Sequence, residues 1–352
     1  MFVNGIGTAT PSQQYSKAEC LEGFKSSAWY SRLGLRARAI VEMVLSHDNG
    51  ISTRHLAVDT LDEVFQIDPD TLHRRFLDNA PALVKTAGTK ALLDARLEAN
   101  QIDAVIVSTC TAYLCPGLSG YAIEQLGLRP DVKAFDLVGQ GCAGALPNWQ
   151  LGEALLASGQ CQHVLSICVE VCSAAMYLDD DPGVLISACL FGDGAGAAVL
   201  SAQPASHQRR VEFKNSSSLI NPQERKALMF EQQQGMLRNI LTRRVPRLAA
   251  EHVEQVLKTL LKDGGVKQAD ISNWIMHAGG RDVLLALESQ LGVGKQDFRY
   301  SAGILYNYGN LSSAFVYFVL QAALADKATG GWWLMSSFGA GFSCHAALLR
   351  VD

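Results

Sequence analysis

Short continuous runs of apolar residues recur in both halves of the chain, where they lead into glycine-rich turns and then into helical patterns. Runs of this length and composition predict buried strands. They lie at residues 104–109, 164–168, 196–200, 274–276, 332–335 and 344–349. The repeated alternation predicts a layered α/β fold made of two similar parts.

The polar stretch 201–210, with the sequence SAQPASHQRR, separates the two halves. We predict a domain boundary there, between residues 205 and 206, because loop-forming residues interrupt the apolar pattern. Just before it, Asp193 lies between two glycines in FGDGAGAA. The freedom of glycine to adopt positive φ predicts a tight turn that feeds a strand. A phosphate-binding loop would open a helix instead, so this segment does not predict nucleotide binding.

Composition and charge narrow the range of functions. The chain has 352 residues, of which 48% are hydrophobic and 18% charged, so it can bury a large core and disorder is excluded. Its net charge of -4 gives no general reason to expect nucleic-acid binding. No apolar run approaches the roughly 18 residues of a membrane helix, and the N-terminus lacks the pattern of a signal peptide. We therefore expect a soluble, cytoplasmic protein that does not enter a membrane.

One of the nine cysteines stands apart from the others. Most occur singly within apolar segments, at spacings that do not suit zinc, and we expect no metal and no redox cofactor. Cys142, in contrast, lies in GQGCAGALP, a glycine-flanked turn that runs into a helical pattern. A helix N-terminus lowers the pKa of a thiol, and the small neighbours Gly141, Ala143 and Gly144 leave N–H groups free to bind an oxyanion. These features predict a nucleophile, and the alternative is a cysteine packed in a tight turn.

Two other glycine turns carry polar residues that suit the same chemistry. His277 follows a short apolar strand, at the kind of strand end where α/β folds place catalytic groups, and a structural histidine is the alternative. Asn310 lies in YGNLSSA, where the alternative is a helix N-cap. An imidazole and an amide beside a thiol suit enolate chemistry on a thioester, because both donate hydrogen bonds to a developing oxyanion.

A series of motifs, in this order and at about this spacing, resembles the type III polyketide synthases, which include chalcone and alkylpyrone synthases. The motifs are VNGIGTATP, GISTRHL, GLRPDVKAFDLVGQGCAGALP, ACLFGDGAGAA, HAGG, YGNLSSA and SSFGAGF. The resemblance covers nearly the whole chain. It implies a thiolase fold with two similar αβαβα halves, residues 1–205 with the nucleophile and residues 206–352 with the histidine and asparagine, and it implies a homodimer.

The resemblance also implies roles for single residues. Cys142 would take an acyl starter from coenzyme A, and His277 would keep the thiol ionised. His277 and Asn310 together would bind the malonyl-CoA carbonyl during decarboxylation. Phe191 matches a phenylalanine at the junction of the coenzyme A tunnel and the cavity. The coenzyme A thioesters are substrates, and no bound cofactor is implied.

Further matches lie at the cavity that sets the product. Thr111 and Cys172 match positions that line the acyl tunnel, and Met176 stands where a small residue would keep the tunnel open, so we expect an aliphatic starter of short to medium length. Asn239 replaces a gatekeeping phenylalanine, which predicts a more polar or more open cavity. Glu170 resembles a glutamate near the cavity, and the alternative is a buried carboxylate with hydrogen-bond partners.

The chain departs from the family pattern at several positions. Ala278 replaces the proline of the usual HPGG, a change that leaves the imidazole in place. Basic residues that hold the phosphates of coenzyme A in plant members are replaced by Val41, Val44 and Asp48. The arginines that we expect to substitute for them are Arg32, Arg36, Arg38 and Arg54. An acyl carrier protein donor also stays open. Cys115 matches a residue that reaches the partner's cavity across the dimer.

Three functions stay open from the sequence. The first is a polyketide synthase that makes a pyrone- or resorcinol-type product. The second is a priming β-ketoacyl-acyl carrier protein synthase that makes a single condensation, and the third is a non-catalytic partner subunit. HAGG and YGNLSSA favour the first over the second, since priming synthases usually show HQAN and a GNTS-like motif. The intact Cys142, His277 and Asn310 argue against the third.

Overall fold

A nine-stranded sheet forms the centre of the computed structural model, which describes residues 1–352. The strands of the protein are β1 Phe2–Ala9, β2 Gln14–Ser16, β3 Thr53–His55, β4 Ala104–Thr109, β5 Lys133–Val138, β6 His163–Glu170, β7 Gly194–Ser201, β8 Val211–Ile220, β9 Leu228–Gln233, β10 Met236–Leu241, β11 Ile271–Met276, β12 Gly331–Gly339 and β13 Ser343–Val351. Their order in the sheet is β11-β12-β13-β8-β1-β7-β6-β4-β5, while β2 pairs with β3 and β9 with β10 outside it. All six predicted strands are confirmed, within β4, β6, β7, β11, β12 and β13.

The sheet repeats the same order of pairing on both sides of its centre. From β1 outwards, β7 and β6 each add an antiparallel pair, and β4 then adds a parallel one. From β8 outwards, β13 and β12 likewise add antiparallel pairs and β11 a parallel one. The predicted boundary between residues 205 and 206 falls in the loop that joins β7 to β8, and it stays a prediction.

The fold is layered: helices cover the outside of each half of the sheet, and two further helices lie between the halves. The helices are α1 Lys17–Ser26, α2 Ala28–Arg32, α3 Leu35–Ser46, α4 Pro69–Ala95, α5 Leu118–Leu126, α6 Ala145–Ala157, α7 Pro182–Leu190, α8 Val245–Gly264, α9 Arg281–Leu291, α10 Arg299–Tyr308 and α11 Phe315–Ala325. On the outside, α4 packs on β1 and β7, and α8 packs on β8 and β13. Between the two sides lie α6 and α11, each of which contacts strands from both.

The two central helices are mostly apolar, with the sequences ALPNWQLGEALLA and FVYFVLQAALA. Helix α11 is buried along most of its length, whereas α6 reaches solvent at Ala154 and Ala157. Trp149 of α6 donates a hydrogen bond of 3.0 Å to the Tyr317 hydroxyl of α11, so the polar atoms at their crossing are satisfied. Close packing depends on small residues in β7, because a Cβ at Gly196 would lie 2.4 Å from the Cβ of Tyr317. The first turns of both helices lie near the same end of the sheet, where the predicted site residues are found.

The two glycines beside Asp193 require a correction. Neither Gly192 nor Gly194 has a positive φ, so the predicted reason for them was wrong. They are needed because the backbone is crowded: a Cβ at Gly192 would lie 2.4 Å from the carbonyl oxygen of Tyr308. Asp193 itself is buried, and its carboxylate accepts hydrogen bonds from the N–H groups of Ala57 and Ser173.

The contact between β1 and α4 gives a first prediction. A Cβ at Gly7 would lie 2.3 Å from the carbonyl oxygen of Ala87, so we expect Gly7→Ala to lower the free energy of unfolding. Overpacking of this kind costs about 1–3 kcal/mol. Gly303 in α10 is the matched control, because a Cβ there meets nothing within 4 Å. Gly303→Ala should raise the stability by about 0.5–1 kcal/mol through helix propensity. Urea unfolding followed by circular dichroism measures both, and an unchanged Gly7→Ala would show that α4 moves away from β1 at no cost.

Candidate active site

Cys142 lies in the turn that connects β5 to α6. Gly141 has a φ of 55°, and a Cβ there would lie 2.8 Å from the backbone nitrogen of Ala340, so only glycine fits. A short 3-10 turn, Gly141–Ala143, then leads into the helix. This confirms the prediction that the cysteine is close to a helix N-terminus. The thiol is half-buried, and its sulfur accepts a hydrogen bond of 3.4 Å from the hydroxyl of Ser312.

The predicted free N–H groups around Cys142 are partly occupied. The N–H of Ala143 donates to the carbonyl of Gln140, and that of Gly144 donates to the carbonyl of Gly141. The expectation that both are free to bind an oxyanion was therefore wrong, because the 3-10 turn uses them.

His277 follows directly after β11 and is 1% exposed. Its N–H donates to the carbonyl of Ser336, which ties it to β12, and its ring packs edge-on against Phe315 and Phe338. Neither ring nitrogen has a hydrogen-bond partner within the protein. Both nitrogens are therefore able to form a hydrogen bond with a group outside the protein.

Asn310 lies between α10 and α11, close to the other two residues. Its Oδ1 accepts a hydrogen bond of 2.9 Å from the N–H of Ser312, so the N-cap alternative describes one part of its role. Its Nδ2 donates to the carbonyl of Gly279 at 3.3 Å, two residues beyond His277. An amide N–H₂ group has two hydrogens, so one donor stays available to a substrate.

Two side-chain contacts bring the three turns together. The hydroxyl of Ser312 links the Asn310 turn to the Cys142 sulfur, and the hydroxyl of Ser337 in β12 donates to the carbonyl of Ala143 at 3.1 Å. The structure contains no hydrogen bond between Cys142 and His277. These contacts join the turns that carry the thiol, the imidazole and the amide, with no direct hydrogen bond between Cys142 and His277. Neither His277 nor Asn310 is among the residues that line the cavity at Cys142.

Burial shifts the pKa values of the thiol and the imidazole in opposite directions. It raises the pKa of Cys142 to about 12, against the hydrogen bond from Ser312, and lowers the pKa of His277 to about 3. Both shifts favour the neutral form. The predicted lowering of the thiol pKa was therefore wrong, because loss of hydration outweighs the helix N-terminus. Acyl transfer at this site needs a proton transfer out of the thiol.

Glu170 lies behind the cavity wall and not on it. It is fully buried, and it accepts hydrogen bonds from the N–H of Cys110 at 3.0 Å and from the hydroxyls of Thr111 at 3.0 Å and Ser313 at 2.5 Å. The Ser312 hydroxyl lies 3.2 Å from the carboxylate and can donate its one hydrogen either there or to Cys142. Burial raises the pKa of this carboxyl, while its donors oppose the shift. This placement favours the alternative of a buried carboxylate with partners, which here holds Ser312 against Cys142.

Ser312 is the residue that the sequence analysis missed. It has a φ of 50°, in the left-handed region that non-glycine residues rarely adopt, and its hydroxyl lies between Cys142, Cys110 and Glu170. Its position two residues after Asn310 was the available signal. The backbone conformation that aims its hydroxyl at the sulfur was not visible in the sequence.

Cys142 borders a small cavity of about 60 Å³. Five of the predicted cavity residues lie on its wall, namely Thr111, Cys172, Met176, Phe191 and Asn239. Other apolar residues on the wall are Leu56, Val184, Leu228, Met229 and Phe230. The amide of Asn239 donates to the hydroxyl of Ser187 at 2.9 Å and so is satisfied within the wall. The cavity is narrow and mostly apolar, which corrects the expectation of a wide or polar one. A wider pocket of about 610 Å³ adjoins it at Cys110, Thr111 and Gly141.

Two protein-family models match this chain. One, described as "FAE1/Type III polyketide synthase-like protein", matches residues 31–263, and the other, described as "Chalcone and stilbene synthases, C-terminal domain", matches residues 212–351. The first alone covers more than half of the chain. The chain belongs to the type III polyketide synthase family. It is therefore an enzyme of the acyltransferase type. Membership of this family argues against the other two hypotheses, a priming synthase and a non-catalytic partner subunit.

Named relatives agree with this assignment along the whole length. This type III polyketide synthase is 28% identical to a 3,5-dihydroxyphenylacetyl-CoA synthase of Streptomyces toyocaensis, over 98% of this chain and 89% of the relative. It is 25% identical to an alpha-pyrone synthesis polyketide synthase-like protein of Mycobacterium tuberculosis, over 99% of this chain and 91% of the relative.

Solved structures show the same fold. The crystal structure of PKS-I from the brown alga Ectocarpus siliculosus superposes with a TM-score of 0.90 at 23% identity, covering 99% of this chain and 98% of that one. The 1,3,6,8-tetrahydroxynaphthalene synthase of Streptomyces coelicolor superposes with a TM-score of 0.86 at 24% identity, over 99% of both chains. The type III polyketide synthase therefore has the predicted thiolase fold.

The arginines expected to hold coenzyme A differ in their surroundings. Arg54 is 7% exposed and lies in the cavity wall, where its guanidinium donates to the carbonyls of Ala188 and Phe191. Arg38 donates to two carbonyls of its own segment, and Arg32 lies over the ring of Trp29. Arg36 is exposed. Asp48 forms an ion pair of 3.3 Å with Arg281, while Val41 is buried.

The last two expectations concern the homodimer and the cellular location. Cys115 is exposed, and the homodimer that the resemblance implies stays a prediction. No helix of this synthase combines the length and the apolar character needed to cross a bilayer. The cytoplasmic location likewise stays a prediction.

Proposed function

We propose that this synthase loads a short aliphatic acyl group from coenzyme A onto Cys142 and extends it by decarboxylative Claisen condensation with malonyl-CoA. The observation that carries the proposal is the cavity of about 60 Å³ that borders the Cys142 thiol. A cavity of this volume has room for only a few small groups, so it favours a short acyl chain over an aromatic ring. Ring closure of the extended chain would release a pyrone or a resorcinol.

Loading begins when the Cys142 sulfur attacks the thioester carbonyl. The thiol proton passes to a ring nitrogen of His277 as the sulfur–carbon bond forms, because a prior transfer from a thiol with a pKa of about 12 to an imidazole with a pKa of about 3 would be strongly unfavourable. Collapse of the tetrahedral intermediate expels the coenzyme A sulfur, which takes that proton back. The result is an acyl thioester on Cys142 and free coenzyme A, with no net change in charge.

Decarboxylation uses the same two donors in another way. The carbonyl oxygen of malonyl-CoA accepts hydrogen bonds from the neutral His277 N–H and from the free hydrogen on Nδ2 of Asn310. Loss of carbon dioxide leaves an enolate, whose negative charge these fixed donors stabilise. The enolate carbon attacks the acyl carbonyl on Cys142, and the Cys142 thiolate leaves. Repetition of the cycle adds two carbons each time.

The proposal predicts which acyl groups are accepted. We expect intact-protein mass spectrometry of the purified enzyme to show a single acyl adduct with acetyl- or butyryl-CoA, and peptide mapping to place it on Cys142. Benzoyl- and cinnamoyl-CoA should load at least about tenfold more slowly, because a ring larger than the cavity leaves unfavourable contacts. Adding malonyl-CoA should convert the short adducts into extracted pyrone or resorcinol products.

Three outcomes would contradict the proposal. Fast loading of aromatic starters would remove the argument from cavity size. No adduct from any coenzyme A thioester would contradict coenzyme A as donor, and the same acyl groups on an acyl carrier protein would then be tested. Loading that maps to Cys110 or Cys172, which also border the cavity, would contradict the assignment of the nucleophile.

A further inference from the structure

Arg238 of β10 lies at the centre of a cluster of carboxylates. Its side chain is 13% exposed, and its nitrogens lie 2.8 Å from Asp179, 3.0 Å from Glu231 and 3.6 Å from Asp181. Its guanidinium group also lies 6.0 Å from the ring centroid of Tyr177. One cation therefore holds together a strand, the neighbouring strand and a loop.

The groups that Arg238 joins form one wall of the acyl cavity. Tyr177 and Asn239, the residue after Arg238, both border the cavity. Asp181 accepts a hydrogen bond of 2.8 Å from the N–H of Gly183 and so caps α7. That helix carries Ser187, which accepts the hydrogen bond from Asn239. Arg238 lies behind this wall and fixes its pieces relative to one another.

The hairpin of β9 and β10 depends on such side-chain contacts for its position. Its strands pair only with each other and not with the main sheet. Backbone hydrogen bonds therefore hold its shape but do not hold it over the cavity. Leu228, Met229 and Phe230 of this hairpin lie on the cavity wall, so its position sets the free space.

The burial of Arg238 separates it from the surface ion pairs of the same region. Arg244, just after β10, pairs with Glu224 at 2.6 Å, but its side chain is 54% exposed. Exposed pairs contribute little to stability, since water screens both charges. Removing Arg238 leaves Asp179, Glu231 and Asp181 near one another without their shared cation. Their side chains are 31%, 44% and 48% exposed, so water screens their repulsion in part. Loss of Arg238 should push the hairpin and the Asp179–Asp181 loop apart.

We propose that Arg238 is a positioning residue that fixes the β9–β10 hairpin against the 177–181 loop, and that it thereby sets the longest acyl chain that the cavity accepts. The inference rests on the proposed function, because acyl loading of Cys142 is its readout. It concerns the relative rates for different chains and not the existence of loading.

The test compares loading rates across a homologous series. Purified wild type, Arg238→Met and the control Arg244→Met are mixed with acetyl-, butyryl-, hexanoyl- and octanoyl-CoA, and acylation is followed by intact-protein mass spectrometry. Methionine keeps much of the length of arginine without its charge. We expect the octanoyl-to-acetyl rate ratio to rise by at least about tenfold in Arg238→Met, since each methylene that gains an apolar site is worth about a fourfold change. The ratio in Arg244→Met should stay within about twofold of wild type.

The outcomes separate the inference from the function on which it rests. If wild type loads no acyl-CoA at all, the proposed function fails. If all three proteins load with the same chain-length profile, or Arg238→Met only loads every chain more slowly, the inference is overturned and Arg238 is structural alone. If Arg238→Met does not fold, Asp179→Asn replaces it, because this change removes the negative charge of the partner at 2.8 Å and leaves the cation in place. Its ratio should shift in the same direction by about threefold, and no shift would overturn the inference.

Discussion

Replacing Cys142 with alanine should abolish polyketide formation, a loss of at least about 10⁴-fold, because no other group at the site forms the acyl intermediate. The same variant should still release carbon dioxide from malonyl-CoA at a rate within about threefold of wild type. Decarboxylation depends on donors from His277 and Asn310, and neither hydrogen-bonds to the sulfur. Product is measured by liquid chromatography, and carbon dioxide release by a coupled assay.

Asn310→Ala should show the opposite pattern and so complete this test. Loss of one fixed donor to a developing oxyanion slows a reaction by roughly 10²–10³-fold, so decarboxylation should fall by that factor. Loading of Cys142 should fall by less than about tenfold, because the thiol attack does not need the amide. Cys161→Ala is the matched control for the cysteine, since this thiol is buried away from the cavity. Equal losses of both steps in either variant would show that loading and decarboxylation share one set of groups.

Replacing His277 with alanine should slow turnover by roughly a thousandfold, since it removes both a proton acceptor and an oxyanion donor. It should also change the pH dependence of Cys142 alkylation by iodoacetamide. With the thiol pKa near 12 and no base beside it, the thiolate fraction in the variant should rise about tenfold for each pH unit from 7 to 10. Wild type should depend on pH more weakly, because His277 and not hydroxide accepts the proton.

The matched control for this change is His345→Gln. His345 is also a buried histidine whose pKa burial lowers, to about 4, but its Nδ1 lies 2.7 Å from the hydroxyl of Ser218 in β8, whereas neither ring nitrogen of His277 has a partner. Its alkylation profile should follow wild type. Identical profiles for His277→Ala and wild type would show that the imidazole does not take the thiol proton, and the proposed loading step would be wrong.

Much of the framework of this enzyme is visible in its sequence. The strands next to the site are short apolar runs with glycine turns at their ends, so the positions of Cys142, His277 and Asn310 at turns follow from local pattern alone. The start of helix α6 after Cys142 is likewise predicted by the local sequence. Their nearness in space was available only through the resemblance to a known family, because the three residues are far apart in the chain.

The failed predictions share a cause, which is burial by distant parts of the chain. The pKa of Cys142 depends on how much water the surrounding strands and turns exclude, and this outweighs the nearby helix start. The surroundings of Arg54 are set in the same way, because its guanidinium donates to the carbonyls of Ala188 and Phe191, 134 and 137 residues away in the chain. Glu170 takes its partners from segments about 60 and 140 residues away, as with Cys110 and Ser312. Sequence pattern carries no direct record of such contacts.

Because α6 and α11 lie between the two sides of the sheet, the parts of the enzyme should differ in how often they open to solvent. The first turns of α6 and α11, which follow Cys142 and Asn310, are buried, so their amides should exchange with deuterium only when the whole protein opens. The β9–β10 hairpin has no such cover and should exchange through local opening. Catalytic geometry is thus held by the most protected part of the molecule, and the space that selects the acyl chain by the least protected. Mutation and selection can reshape the second without loosening the first.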